Sequence, residues 1–189
     1  MKITIKTFLT IIIFSITTQI FAQTDAEMKA WMAYMTPGSV HDMLAKSNGE
    51  WSSEISLWMS PDAPPTKSTG TVVNSMILGG RYQQSTNLGN FMGMPFEGIS
   101  IVGYDNSKKK FVSSWVDNMG TGMVYMEGTW DDATRTVNLS GKQTDPMTGL
   151  DMVVRETFEI IDDNNQKLEM FMTQNGKEMK TMEIIFKRK

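Results

Sequence analysis

From Trp51 onward, apolar and polar residues alternate with a period of two, and turn signals recur about every 8–12 residues. The clearest turn signals are Gly79-Gly80, Asp131-Asp132, Asp162-Asp163 and Asn175-Gly176. This spacing predicts about ten short strands, with no helical crossover of the kind that joins parallel strands. Closing an up-and-down series removes its exposed edges, so we predict an all-β, antiparallel up-and-down β-barrel. A β-sandwich is the alternative.

The first 22 residues have the pattern of a secretory signal peptide. Lys2 and Lys6 precede an apolar run at residues 8–16, which is too short to span a bilayer as a stable helix. We predict cleavage after Ala22 and an exported, periplasmic or extracellular protein with no stable membrane span after cleavage. A retained N-terminal anchor is the alternative.

Residues 23–48 are predicted to form short helices ahead of the barrel domain at 49–189. Thr24 and Glu27 have the spacing of a capping box, in which each side chain accepts a hydrogen bond from the other residue's backbone N–H. An apolar stripe follows on the same helix, and a second helix is predicted at residues 40–46. We expect these helices to pack on the domain as ordinary structural elements. The alternative is that they cover one end of the barrel. The stripe consists of Met28, Trp31, Met32 and Met35.

Composition excludes several classes of protein. The chain of 189 residues has no cysteine, which excludes disulfides, thiolate metal sites, cysteine nucleophiles and a lipoprotein anchor. Removing Lys2 and Lys6 with the signal lowers the 18 basic residues to 16, against 21 acidic ones, for a net charge of −5. A mildly acidic chain without a basic block is a poor nucleic-acid binder, so no nucleic-acid partner is predicted.

Methionine is abundant, with 18 residues along the chain. Its flexible thioether fills irregular gaps in a core, which is the interpretation we favour. Soft thioethers also bind Cu(I), and the Met-x-Met pairs at 92–94 and 170–172 keep that alternative open. The segment 89–95 is predicted as a flexible, methionine-rich loop that gates the barrel.

A family resemblance rests on motifs spread along most of the chain. Gly49-Glu50-Trp51 resembles the Gly-x-Trp signature of the calycin superfamily, which includes lipocalins, fatty-acid-binding proteins and nitrobindin-like barrels. The following motifs resemble an uncharacterised bacterial family with a domain of unknown function: Leu78-Gly79-Gly80-Arg81-Tyr82, Gly93-Met94-Pro95-Phe96-Glu97-Gly98, Gly103-Tyr104-Asp105-Asn106, Trp115-Val116-Asp117 and Gly120-Thr121-Gly122. The resemblance covers residues 44–189 and implies a lipocalin-like barrel with no established activity.

The nitrobindin comparison does not carry its cofactor to this chain. Those barrels hold haem iron through a histidine on a late strand, whereas the one histidine here, His41, precedes the first predicted strand. Methionine or tyrosine ligation is the remaining haem alternative. We predict no cofactor and no metal.

Catalysis by the usual nucleophile–base pairs is disfavoured, because the chain has one histidine and no cysteine. An alternative function is a carboxylate-based hydrolase or isomerase that uses Glu97 or Asp117 as its base. The competing interpretation pairs Glu97 with Arg81 or Arg155 in a buried polar cluster. No catalytic residue is predicted.

Ligand binding is the function that the pattern favours. Phe111, Ser113, Trp115 and Asp117 share one face of a predicted strand, giving an aromatic wall with a polar end. We predict that the barrel, hollow or filled, binds a small apolar or amphipathic molecule, with arginines holding a ligand carboxylate. The alternatives are the carboxylate enzyme and a protein-interaction module, and the chain is expected to be a monomer or homodimer. The predicted ligand-binding residues are Arg81, Tyr82, Met94, Phe96, Glu97, Trp115, Asp117 and Arg155.

Overall fold

The computed structural model describes residues 24–174 and 176–189, so the predicted signal segment 1–22 lies outside the described residues. The chain forms two units, Met1–Met35 and Thr36–Lys189. Within the described residues, no helix is long and apolar enough to cross a membrane.

The described part of the first unit is one helix, α1 (Asp25–Met35). The predicted capping box is present: the Thr24 backbone N–H donates to Glu27 Oε2 at 2.7 Å, and the Glu27 N–H donates to Thr24 Oγ1 at 3.2 Å. The apolar stripe of α1 is exposed along its length, and the rings of Trp31 and Tyr34 meet edge to face at 6.0 Å.

The second unit consists of one short helix, α2 (Ser39–Ala45), and ten strands. Each of the ten strands predicted from the alternating pattern is present, because hairpin turns of Gly, Asn and Asp separate the alternating segments. The strands are β1 (Gly49–Leu57), β2 (Thr66–Ile77), β3 (Tyr82–Phe91), β4 (Met94–Asp105), β5 (Lys110–Asp117), β6 (Val124–Asp131), β7 (Thr136–Thr144), β8 (Asp151–Ile160), β9 (Asn165–Gln174) and β10 (Lys177–Arg188).

The strands form a closed, antiparallel, up-and-down barrel. Every strand pairs with its neighbours in the chain, and β1 pairs with β10 to close the sheet, with Trp51 opposite Arg188. The predicted fold class is therefore confirmed. A register shift between Lys180 and Met182 interrupts the ladder of β10 and β9.

The segment 89–95 is not the flexible loop that the sequence suggested. Only Met92 and Gly93 lie between β3 and β4, with φ angles of 52° and 87°. Two residues with positive φ make the tight turn that suits a twisted hairpin, and Gly93 adopts this conformation without steric cost. The Asn90 side chain accepts a hydrogen bond from the Gly93 N–H at 2.7 Å, which fixes the turn.

Helix α2 covers one end of the barrel. Val40, Met43 and Leu44 pack against the core, and the Leu44 carbonyl accepts a hydrogen bond from Gln83 Nε2 at 2.6 Å. Ser47, just after the helix, accepts from Trp51 Nε1 at its carbonyl (2.9 Å) and from Gln166 Nε2 at its hydroxyl (2.7 Å). These bonds satisfy polar groups that would otherwise be buried without a partner.

The opposite end of the barrel, here called the far end, is formed by the loops that follow β1, β3, β5, β7 and β9. Four of these loops carry highly exposed methionines: Met59, Met92, Met123 and Met147.

The core lies inside the barrel and is filled unevenly. Among the described residues, the largest fully enclosed side chains are Trp51, Phe111 and Val154. One buried cluster surrounds Phe111, and a second surrounds Trp51 with Val72 and Phe186. Other side chains on the inward face keep part of their surface accessible, and they define the candidate site.

Candidate functional site

The inward face of the barrel follows the period-two alternation of its strands. On β8, Val154 is fully buried, and the residues two and four positions later, Glu156 and Phe158, share its face. On β5 the same face carries Phe111, Ser113, Trp115 and Asp117, as the sequence predicted. Trp115 and Glu156 retain accessible surface although they face inward, so free space adjoins them inside the barrel.

Three of the predicted binding residues come together on β4 and β5. The Trp115 indole Nε1 donates to Asp117 Oδ2 at 2.6 Å, and the ring stacks on Phe96 with centroids 6.3 Å apart. Asp117 Oδ1 also accepts from the Met119 backbone N–H at 2.9 Å, so both carboxylate oxygens have partners. The result is a rigid aromatic wall whose polar end is already hydrogen-bonded.

Gly98 makes this wall possible. It lies on the inward face of β4 opposite Asp117, and a Cβ atom built there would overlap the Trp115 ring. The same atom would lie 3.2 Å from the Phe96 ring. A residue without a side chain is therefore required for the two rings to stack.

Arg155 does not face this wall, contrary to our expectation. It alternates with Val154 and Glu156 on β8, so its side chain lies on the outer face of the barrel. There it forms a bidentate ion pair with Glu178 (2.9 and 2.8 Å) and stacks over the Phe171 ring at 3.8 Å.

The remaining predicted residues are spread over the surface. Arg81 lies in the turn between β2 and β3, where its Nη1 donates to the Leu78 carbonyl. Tyr82 lies on the outer face over Gly103, and Glu97 is exposed on β4, where its N–H donates to Asn118 Oδ1 at 3.0 Å. Met94, at the start of β4, is half exposed at the far end. The structure thus brings together Phe96, Trp115 and Asp117, and places Arg81, Tyr82, Glu97 and Arg155 elsewhere.

Sequence reasoning missed Glu156. Its neighbours across the ladder are Leu139 on β7 and Met170 on β9, both apolar. Burial raises the pKa of the Glu156 carboxyl to about 7, and no charged group contributes to this shift. The signal was available in the pattern, because glutamate occupies the position between Val154 and Phe158 where the alternation calls for an apolar residue.

The Glu156 carboxyl makes no hydrogen bond or ion pair to any residue that the structure describes. Among those residues, the one fully enclosed side-chain polar atom without a partner is Asn74 Oδ1, so the Glu156 oxygens keep some accessible surface. A buried charge normally requires a partner, and an unpaired carboxyl in an accessible cavity is a common mark of a functional site.

Few charged side chains occupy the inward face of the described strands. In the described strands, Asp117 and Glu156 are the inward-facing carboxylates, and lysine or arginine shares that face only at the two ends. Arg188, beneath α2, stacks on Trp51 at 4.3 Å and donates to three backbone carbonyls. Lys177 is exposed at the far end.

His41 has a structural role in the first turn of α2. It is buried, its Nδ1 accepts from the Gly38 N–H at 3.0 Å, and its ring meets Tyr104 edge to face. A cleft of about 490 Å³ lies nearby, lined by Val40, Met43 and Trp130 among others.

Metal ligands are not gathered anywhere in the described part of the chain: it holds no group of three or more His, Asp or Glu side chains placed to bind an ion. Met170 and Met172 share the inward face of β9 and pack against the Phe111 cluster. This packing fits the gap-filling role that we favoured for methionine.

The fold and the interior define a closed ten-stranded antiparallel β-barrel whose inner wall carries stacked aromatic rings and an unpaired carboxyl. The chain belongs to the family described as "Protein of unknown function (DUF1579)", whose profile matches residues 36–188. This membership confirms the resemblance to an uncharacterised family.

A solved structure has the same fold. The crystal structure of Rv2717c from M. tuberculosis aligns with a TM-score of 0.61 over 82% of this chain and 99% of that chain, at 13% sequence identity. At this identity the likeness concerns the fold alone. A comparison with curated proteins gave no significant match.

Proposed function

We propose that this protein binds a small amphipathic molecule inside the barrel. The observation that carries the proposal is the accessible surface retained by Trp115 and Glu156, two residues that face inward and are surrounded by the barrel wall. A barrel of this size either fills its interior with side chains or leaves room for one small ligand. The partly filled interior favours the second case.

The inner wall offers both kinds of contact that such a ligand needs. The stacked rings of Phe96 and Trp115 and the thioethers of Met170 and Met172 supply apolar surface. Polar groups on the inner wall, such as Ser53 and Ser113, alternate with this apolar surface and orient the bound molecule. Because both oxygens of Asp117 are already bonded, Glu156 is the inward carboxylate in the described strands that is left to meet the ligand.

The ligand gains access at the far end in this proposal, because α2 covers the other end. Exposed methionines on the far-end loops provide an adaptable apolar rim. With residues 1–22 acting as a secretory signal, the protein performs this role in the periplasm or outside the cell.

A neutral solvatochromic dye, Nile red, tests the proposal. Its fluorescence is expected to rise on binding to the purified protein and to saturate at one dye per chain. Trp115→Ala is expected to weaken dye binding at least about fivefold, because it removes a large apolar contact surface. Trp58→Ala is the matched control, since Trp58 packs under Lys180 at 4.8 Å, away from Trp115. Absence of saturable binding, or equal effects of the two variants, would contradict the proposal.

A further inference from the structure

We infer that the ligand carries a basic nitrogen, such as a primary ammonium group, which pairs with Glu156. The inference rests on the proposed function and names the chemical class of the head group. It replaces our expectation of a ligand carboxylate held by arginines, because Arg155 lies on the outer face and Arg81 lies in the β2–β3 turn.

The charge beside the cavity favours a cation. Of the two inward carboxylates in the described strands, Asp117 ends β5 with both oxygens bonded, whereas Glu156 lies in the middle of β8, away from the cations at the two ends of the barrel. Arg188 is occupied by backbone carbonyls, and Lys177 is exposed. An anionic group placed beside Glu156 would meet repulsion there, whereas a cation is attracted.

Glu156 itself lacks a partner among the described residues. Its neighbours in the ladder are Leu139 and Met170, neither of which can donate a hydrogen bond to its oxygens. The carboxyl keeps some accessible surface, which leaves room for a donor from a bound molecule. An ammonium group supplies up to three donors and the opposite charge, and such charge-assisted bonds are the strong ones.

The rest of the inner wall suits the apolar body of such a ligand. The aromatic faces of Phe96 and Trp115 and the polarizable sulfurs of Met170 and Met172 suit an alkyl or aryl chain. Aromatic faces also attract cations, so the rings do not oppose the entry of an ammonium group on its path to Glu156. The site therefore fits an amphipathic amine.

Displacement of Nile red by three molecules of equal chain length tests the inference: decylamine, decanol and decanoate. Decylamine is expected to displace the dye at a concentration at least about tenfold lower than decanol, because of its charge-assisted bond. Decanoate is expected to be the weakest. The variant Glu156→Gln should abolish the advantage of decylamine over decanol, with both displacements measured relative to that variant's own affinity for the dye. Glu159→Gln is the control, because Glu159 pairs with Lys167 on the outer face.

The dependence on pH supplies a second readout that needs no variant. Decylamine stays protonated between pH 6 and 8, whereas Glu156 ionises near pH 7. The affinity for decylamine should therefore rise over this range, and a proton should be released on binding. The affinity for decanol should not change with pH. Leu139 and Met170 beside Glu156 do not titrate. The other groups facing the interior or its ends are Asp117, Tyr104, His41, Lys177 and Arg188.

The outcomes separate the two proposals. If Nile red binds and decanol or decanoate displaces it as well as decylamine does, the amine inference fails and the proposed function stands. An amine preference that survives in Glu156→Gln also overturns the inference. If the dye does not bind and none of the three molecules binds, both proposals fail.

Discussion

The indole Nε1 of Trp115 donates a hydrogen bond to the Asp117 carboxylate two residues further along the chain, at 2.6 Å. A second pair repeats this arrangement, with Trp130 Nε1 bonded to Asp132 Oδ1 at 2.8 Å. The first pair is partly buried inside the barrel and the second is exposed. The chain thus contains one interaction in two environments, which allows a direct comparison.

Removing Asp117 should cost more stability than removing Asp132. Asp117→Ala leaves a partly buried indole N–H without its charged partner and also frees the Met119 N–H. We expect a loss of about 1–3 kcal/mol in the free energy of unfolding, measured by urea denaturation. Asp132→Ala should cost less than about 1 kcal/mol, because water replaces the exposed carboxylate. Equal losses would show that the two bonds are equivalent.

Adding a methyl group at Gly98 should disrupt the aromatic wall. The new Cβ of Gly98→Ala overlaps the Trp115 ring, so the stack on Phe96 must open. We expect Nile red affinity to fall at least about fivefold, since the ring that moves is the main apolar surface of the site. Gly103→Ala is the matched control, because its Cβ meets Tyr82 on the outer face. A loss of affinity in the control of the same size would contradict this assignment.

Stability should depend on pH through Glu156. Its pKa is raised to about 7 in the folded state from an ordinary value of 4.5, so the folded protein binds more protons than the unfolded chain between these values. The contribution of the protonated Glu156 carboxyl to the free energy of unfolding is therefore fully present below pH 4.5, and it is lost as the pH rises through 7. Relative to Glu156→Gln, the wild-type protein should lose up to about 3 kcal/mol of unfolding free energy between pH 5 and 8.

Urea denaturation of both proteins across this range measures the difference. Glu159→Gln, on the outer face of the same strand, should keep the wild-type dependence on pH. A wild-type curve parallel to that of Glu156→Gln would mean that Glu156 is not desolvated.

Removing Arg155 should affect stability and leave binding unchanged. The Arg155–Glu178 pair lies on the outer face with both side chains more than a third exposed, so its contribution is small. With the stacking on Phe171 included, Arg155→Ala should cost about 0.5–1.5 kcal/mol of unfolding free energy. Nile red affinity should stay within about twofold of wild type, where a binding arginine would cost at least about tenfold. A larger loss of affinity would show that Arg155 contributes to ligand binding, contrary to its position on the outer face.

The strands were predictable because most alternating segments end at a strong turn signal, and the four residues predicted to share one strand face, from Phe111 to Asp117, lie on β5. The same alternation placed Trp115 and Asp117 on one face. The β3–β4 hairpin was missed because a Met-Gly pair is a weak turn signal, and the bond from Asn90 that closes it is visible only in three dimensions.

The error over Arg155 and the omission of Glu156 have one cause. The charged residues of β8 were considered without the strand's register, so the arginine was assigned to the site and the glutamate beside it was not considered. The register of β8 reverses both assignments, because Val154 and Phe158 fix the inward face. Whether the interior is filled could not be predicted, since filled and hollow barrels share the same alternation.

Native mass spectrometry of the protein purified from its own host tests the central claim most directly, when spectra are taken before and after unfolding in acid and organic solvent. The account predicts an additional mass that is lost on unfolding and is recovered in the organic extract as a small amphipathic molecule. A bare chain mass in repeated preparations, together with no saturable binding of Nile red, would contradict the claim that the barrel interior holds a ligand.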